Sequence, residues 1–220
     1  MMEVDWTFAA SILPTLGKAA LLTLGITAAG FVISLVLGLA LAMLRRSRRR
    51  LLALPTALTV ETVRGTPLLI QLYFIFFVLP EYGVVLPAML TGIVAIGLHY
   101  AAYTSEAYRA GIDNVPPGQW QVAGALGMTR LQVFRYVVMP QAVPAILPAL
   151  GNYLIAMFKD TPLLSAIAVV ELMQRAKIIG SETFRYLEPI TIVGLFFLAM
   201  SLIAAMLIRA LERRLRIPPA

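Results

Sequence analysis

The sequence predicts an all-helical membrane protein with five transmembrane helices. Three observations carry that prediction. Of 220 residues, 60% are hydrophobic and 13% charged, whereas soluble domains run at about 45–50% and about 25%. Apolar runs long enough to cross a bilayer recur along the chain. The basic residues gather at the ends of those runs. A soluble enzyme, a nucleic-acid binder and a disordered chain all fit such a composition poorly, despite a formal charge of +7.

A hydrocarbon core of about 30 Å needs about 20 apolar residues as helix. Residues 19–44 form the first span and contain no charge. Glu3 and Asp5 precede it and arginines follow it, the reverse of a cleaved signal peptide. The second span, 52–80, reaches full length only if its helix starts near Leu52. The third, 84–110, is interrupted chiefly by His99, and the fourth, 137–158, holds together despite three prolines. The fifth covers 189–210. The apolar stretch 162–170 is too short to cross and reads as re-entrant or interfacial. The whole of 1–220 is expected to form a single transmembrane domain.

Charge orients the spans. Arg45, Arg46, Arg48, Arg49, Arg50, Arg109, Arg130, Arg135, Arg209, Arg213, Arg214 and Arg216 fall on one side of a five-span chain. Only Lys18, Lys159, Arg175, Lys177 and Arg185 fall on the other, so the positive-inside rule puts the N-terminus outside and the C-terminus in the cytoplasm. The arginines at 45–50 would also attract anionic lipid headgroups. Cysteine is absent, which excludes disulfides and thiol catalysis. A lone His99 excludes a His-clustered metal site within one chain. No catalytic or metal-binding residue is predicted.

The loop at about 112–136 has its own order. Pro117 suits a first helical turn, Gly127 suits the left-handed position after a last turn, and Thr129 with Gln132 forms a capping-box pattern. On periodicity alone such a short helix reads as an interfacial anchor. Its spacing points elsewhere. Ala123, Gly127, Val137 and Pro140 match Glu-Ala-Ala-x-x-x-Gly followed by Ile-x-Leu-Pro, the EAA signature of bacterial ABC importer permeases. Tyr103, Glu106, Arg109, Val115, Pro116, Gly118 and Gln119 around it resemble the polar amino acid permeases of that family. So do Arg64 to Leu72, and Lys159-Asp160-Thr161. The resemblance covers nearly the whole chain. The run from Met157 to Pro189 looks most like permeases for ectoine and hydroxyectoine.

The resemblance implies a type I ABC importer permease of the bacterial inner membrane, working by alternating access and performing no covalent chemistry. It implies an ATPase dimer that carries ATP and Mg, a second permease subunit identical or paralogous to this one, and an extracytoplasmic solute-binding protein. No phosphate loop of the form Gly-x-x-x-x-Gly-Lys-Ser/Thr occurs in this chain, so it needs no cofactor of its own. The loop is then the coupling helix, with Gly118, Gln119, Trp120, Gln121, Ala123, Leu126 and Gly127 as its ATPase-facing candidates. Gln121 stands where the signature has glutamate and cannot form that residue's ion pair.

The substrate-path candidates are Arg64, Gln71, Asn152 and Asp160. Arg64 pairs with Glu61 or grips a substrate carboxylate bidentately. Asp160 forms a solvated pair with Lys159 or meets a cationic group. Gln71 and Asn152 bond neighbouring helices or line the path. The rival readings are a membrane-embedded enzyme, for which no buried catalytic cluster is visible, and a channel or secondary transporter not coupled to an ATPase.

Overall fold

The computed structural model describes residues 4–215, and every regular element among them is helical. Glu3 and Arg216, which entered the charge comparison, lie outside the described residues. Helix α1 runs from Trp6 to Arg45. Asp5 starts it by accepting the Thr7 and Phe8 N–H groups at 3.0 and 3.1 Å, which satisfies two otherwise orphaned donors. At 1.5 Å per residue, α1 is about 60 Å long, twice a hydrocarbon core.

Two helices follow where the sequence predicts one span over 52–80. Helix α2, Arg50–Gly65, and helix α3, Leu68–Tyr73, meet at a 106° bend. The cause is Pro67, which donates no N–H and forces the preceding Thr66 into extended backbone at φ −113°, ψ 139°. Helix α3 continues through a wide π turn at Phe74–Val78 and a 3₁₀ turn at Leu79–Tyr82. Helix α4, Ala88–Asp113, is the centre of the bundle. The loop contains α5, Pro117–Ala125, and α6, Arg130–Val133. Helix α7 covers Met139–Asp160 and passes into a 3₁₀ segment at Thr161–Ile167, in the region expected to be re-entrant or interfacial. Helices α8, Leu172–Thr183, and α9, Leu187–Leu215, complete the chain.

Small residues let α1 and α4 pack closely. Gly30, Ser34, Gly38 and Ala42 recur every fourth position and are buried, the arrangement that lets membrane helices approach. A Cβ at Gly38 would overlap Thr104 Oγ1. With glycine there, that hydroxyl instead donates to the Ser34 carbonyl at 2.7 Å.

Three stretches are long and apolar enough to cross a membrane: Trp6–Arg45, Arg130–Ile167 and Leu187–Arg214. The bent pair α2 and α3 makes a fourth if it counts as one crossing. Helix α4 has the length but not the hydropathy, because His99, Tyr100, Tyr103, Thr104 and Ser105 interrupt its apolar run. Most of its side chains face α1, α3 and α7, so it needs little lipid-soluble surface. Helix α8 packs on α1. Its Leu172 N–H donates to Thr23 Oγ1 at 3.1 Å, and Thr23 sits about 33 Å along α1 from Arg45.

Candidate functional site

A polar seam runs down α4. Tyr100, Tyr103, Glu106, Arg109 and Asp113 recur at three- and four-residue intervals, so each lies beside the next and the row winds partly around the helix. Tyr103 packs against His99, Tyr100 and Tyr153 with ring centroids 5.2, 5.9 and 5.8 Å apart. The Tyr100 hydroxyl donates to Asp160 Oδ2 at 2.7 Å. Asp160 therefore meets α4 across the bundle, and the expected pair with Lys159 is not among the ion pairs of the described residues.

Gln71 closes the α2–α3 bend. Its Nε2 donates to the Val63 carbonyl at 2.7 Å, to Thr66 Oγ1 at 2.7 Å and to the Thr66 carbonyl at 3.1 Å. Those acceptors leave Oε1 facing His99 Nδ1 at 3.0 Å. An amide oxygen only accepts, so Nδ1 carries a proton and donates. Gln71 thus bonds between helices, one of its two expected roles.

Arg64 does not pair with Glu61. The bend turns it toward α4, where its guanidinium lies 5.5 Å from the centre of the Tyr103 ring and 3.4 Å from Glu106 Oε1. Glu106 also binds Arg45 of α1 and, at 2.8 Å, Arg109. Asp113 holds Arg46 and, at 3.2 Å, Arg109. These pairs tie the C-terminal ends of α1, α2 and α4 together beneath the aromatic group. Asn152 is exposed and takes no part in the cluster, whereas its neighbour Tyr153 does. A helix turns 100° per residue, so adjacent positions cannot face the same way.

The loop is built as its sequence motifs predict. Pro117 opens α5. Gly127 adopts φ +74°, and the Met128 N–H reaches back to the Ala123 carbonyl at 3.2 Å, sealing the helix end. Thr129 and Gln132 form both halves of the capping box. Ala123 is buried against Ile112, Val115 and Val133, and Trp120 packs on the same cluster. Leu126 points away: it is 75% exposed, with Val122 at 60%. Gly118, Gln119, Gln121 and Gly127 are exposed as well. Of the two large apolar side chains among the ATPase-facing candidates, Trp120 holds the loop to the bundle and Leu126 faces outward.

Tyr100 and Glu106 carry more of the seam than sequence reasoning assigned to them. Their signal was available as the periodic stripe on α4. Their partners on α1, α2 and α7 were not, because no spacing links Arg45 to Glu106 or Tyr100 to Asp160.

Residues 34–217 match the family of binding-protein-dependent transport system inner membrane components. A probable amino-acid ABC transporter permease protein of Sinorhizobium fredii is 45% identical, over 94% of this chain and 90% of the relative. The L-cystine transport system permease protein of Bacillus subtilis is 35% identical, over 92% of this chain and 89% of that one. Among solved structures, a chain of an amino acid ABC transporter crystallised with histidines superposes with a TM-score of 0.91 at 38% identity. That match covers 97% of this chain and 100% of the other. A chain of an inward-facing methionine ABC transporter shares the fold with a TM-score of 0.81 at 20% identity, covering 94% of this chain and 99% of the other.

Proposed function

The chain belongs to the family of binding-protein-dependent transport system inner membrane components, and from that premise we propose that it forms half of an alternating-access path for a zwitterionic solute. It is the permease component of an amino acid ABC importer, a multi-pass inner-membrane protein without catalytic activity of its own. The path is bounded by five crossings, with the bent α2–α3 pair as the second and α4 as the third. The N-terminus lies outside and the arginine-rich ends lie in the cytoplasm, as the charge distribution favours.

One observation carries this reading. Helix α4 runs unbroken from the aromatic cluster at His99 to Asp113, where the loop begins. A rigid helix joining a polar cluster to an outward-facing loop transmits motion between them. Residues 112–136 then couple the path to an ATPase dimer that holds ATP and Mg. Leu126 and Val122 supply the apolar contact, and Gly118, Gln119, Gln121 and Gly127 supply close approach. A second permease subunit, identical or paralogous, closes the other half of the path, and a solute-binding protein delivers the cargo outside.

Within the path, Asp160 receives the cationic group of the solute and Arg64 its carboxylate. The first trades one contact of the Asp160 carboxylate with Tyr100, the second one contact of Glu106. Gln71 positions the bend, and Asn152 faces the second subunit from α7. The solute is a polar amino acid or a related zwitterion. Ectoine or hydroxyectoine, whose ring couples an amidinium to a carboxylate, is the narrower assignment that the resemblance of residues 157–189 favours.

The test is co-purification with a tagged ATPase subunit, then ATPase assays in liposomes with binding protein and ectoine, arginine, glutamine or glutamate. Stimulation only by the loaded binding protein is expected, and the stimulating solute identifies the cargo. A well-folded chain that recruits no ATPase restores the channel or secondary-transporter reading.

A further inference from the structure

We infer that Lys18 and Arg175 bind a phosphate group in the groove between α1 and α8. Both line one cavity of about 380 Å³, with Thr15, Ala19, Leu22 and Val170 as its other walls. Thr15, Lys18, Ala19 and Leu22 follow helical spacing and share one face of α1, and α8 packs against that helix. No ion pair among the described residues includes Lys18 or Arg175. Helix α1 contains no acidic residue to offer Lys18. Glu171 stands one turn before Arg175, but its two oxygens accept the Met173 and Gln174 N–H groups at 2.9 and 2.8 Å. The other cation of α8, Lys177, donates to Ser165 Oγ at 3.0 Å and is not a wall of the cavity. Two positive charges thus border one cavity without a counter-charge.

The donor set selects the ligand. A planar carboxylate has two oxygens, and the fork of one arginine takes up both. A tetrahedral phosphate has oxygens left for the Lys18 ammonium and the Thr15 hydroxyl on the facing helix, and its charge matches two cations. Ala19, Leu22 and Val170 give apolar contact to an organic substituent, so free phosphate and a phosphate ester share this recognition. The site is separate from the seam on α4. A Cβ at Gly97, beside the start of the seam, would lie 2.7 Å from Ile33 Cγ2, and Lys18 is about 22 Å before Ile33 along α1. Nor does it use the face of α7 that carries Asn152. Unoccupied, the two cations repel each other across the groove. An anion between them turns that repulsion into a link from α1 to α8, and a ligand bound only by the folded chain stabilises it.

The full chain, purified in a mild non-ionic detergent and stripped of lipid, would be melted in rising inorganic phosphate. Chloride at equal ionic strength is the reference, because salt alone screens the repulsion. A second series uses short-chain phosphatidylglycerol. A saturable rise in melting temperature of a few degrees is expected. Saturation by inorganic phosphate assigns a soluble phosphate, saturation by the lipid alone assigns a headgroup, and both keep the site. With the responding probe, Lys18→Gln and Arg175→Gln should each raise the half-saturating concentration about tenfold, the loss of one charge-assisted hydrogen bond. Without the probe, both variants should melt no lower than the parent, since each removes the repulsion. Arg175→Lys keeps the charge without the fork and should fall between parent and Arg175→Gln. Gel filtration with circular dichroism would verify the fold of each variant. No saturable rise with either probe would overturn the site. So would an equal response in parent and glutamine variants, or an equally strong response to acetate. Efficient disulfide formation in native membranes between two copies carrying Lys18→Cys would also overturn it, placing protein where the phosphate is proposed.

Discussion

Along α4, Gln71, His99, Tyr100 and Asp160 satisfy one another, and Glu106 gathers three arginines. Beyond the end of that helix, Val122 and Leu126 stand exposed on a well-capped loop that has no apolar partner for them. The seam has spent its polar groups internally, so on the proposed function a solute must exchange contacts to enter. The loop has left apolar surface unspent, so a partner can bind without breaking anything. If the loop couples and the seam carries solute, as proposed, the two answer differently to mutation: the first should lose function without losing stability, the second should lose selectivity.

The largest expected effect breaks the loop side. Leu126→Asp puts a charge where an apolar side chain is 75% exposed. The fold should hold, because surface changes usually stay within about 0.5 kcal/mol. Recruitment of the ATPase should fall about thirtyfold or more, as for loss of a buried anchor worth about 2 kcal/mol. Pull-down and thermal melting on the same preparation read both numbers. Normal recruitment would remove the loop from the interface.

A second change attacks the scaffold that the seam and the loop share. Gly38→Val would drive a side chain into Thr104 Oγ1 and toward the Ala101 carbonyl, 3.0 Å from the added Cβ. Backbone cannot yield as a flexible side chain can. Overpacking of this kind costs about 1–3 kcal/mol, and separating α1 from α4 should strain the ion pairs of Arg45 and Arg46 as well. Melting should drop by several degrees, and ATPase recruitment and transport should fall together. An unchanged melting temperature would show that α1 and α4 are not held at this crossing.

Much of this was legible in the chain. Pro117, Gly127 and the Thr129–Gln132 pair are local signals, each acting within one turn, and all appear in the structure as read. The all-helical class followed from composition together with apolar runs long enough to cross a bilayer as helix. The bend at Pro67 was less legible. The span over 52–80 was counted by length, and proline in a membrane helix is common enough that a 106° turn does not follow from it. Least legible were the partners of Arg64 and Asp160. Glu61 and Lys159 are near in sequence, and a local pair is the natural first expectation. The fold instead supplies Glu106 and Tyr100, distant residues that only tertiary packing brings within reach.

A third change sharpens the seam side. Asp160→Asn keeps an oxygen to accept the Tyr100 hydroxyl and removes the charge. Stability should move by less than about 1 kcal/mol. Transport of a solute with a cationic group should fall about tenfold or more, since a charge-assisted contact becomes a neutral one. The loss should appear with solutes that carry a net positive charge before it appears with neutral ones. Equal loss for every solute would make Asp160 a structural residue.

The smallest effect lies at the far end of the bundle, where a buried charge is satisfied in a third way. The Glu171 carboxylate is fully buried and caps α8 by accepting the Met173 and Gln174 N–H groups at 2.9 and 2.8 Å. Burial still pushes its pKa above the ordinary 4.5, against those two hydrogen bonds and the charge of Lys177. The folded chain therefore holds this proton more tightly than the unfolded chain does. The stability it contributes is complete below the unfolded value and is lost as pH rises through the raised folded one. Glu171→Gln is neutral at every pH and keeps a carbonyl oxygen for one of the two N–H donors. Relative to the parent, the variant should gain stability as pH rises above the ordinary value of 4.5, by about 1 kcal/mol or less, since two good hydrogen bonds already offset most of the burial. Paired melting curves through that rise decide it. A difference that stays flat, or that favours the parent more as pH rises, would mean that the capping bonds outweigh desolvation and that the carboxylate is at ease without its proton.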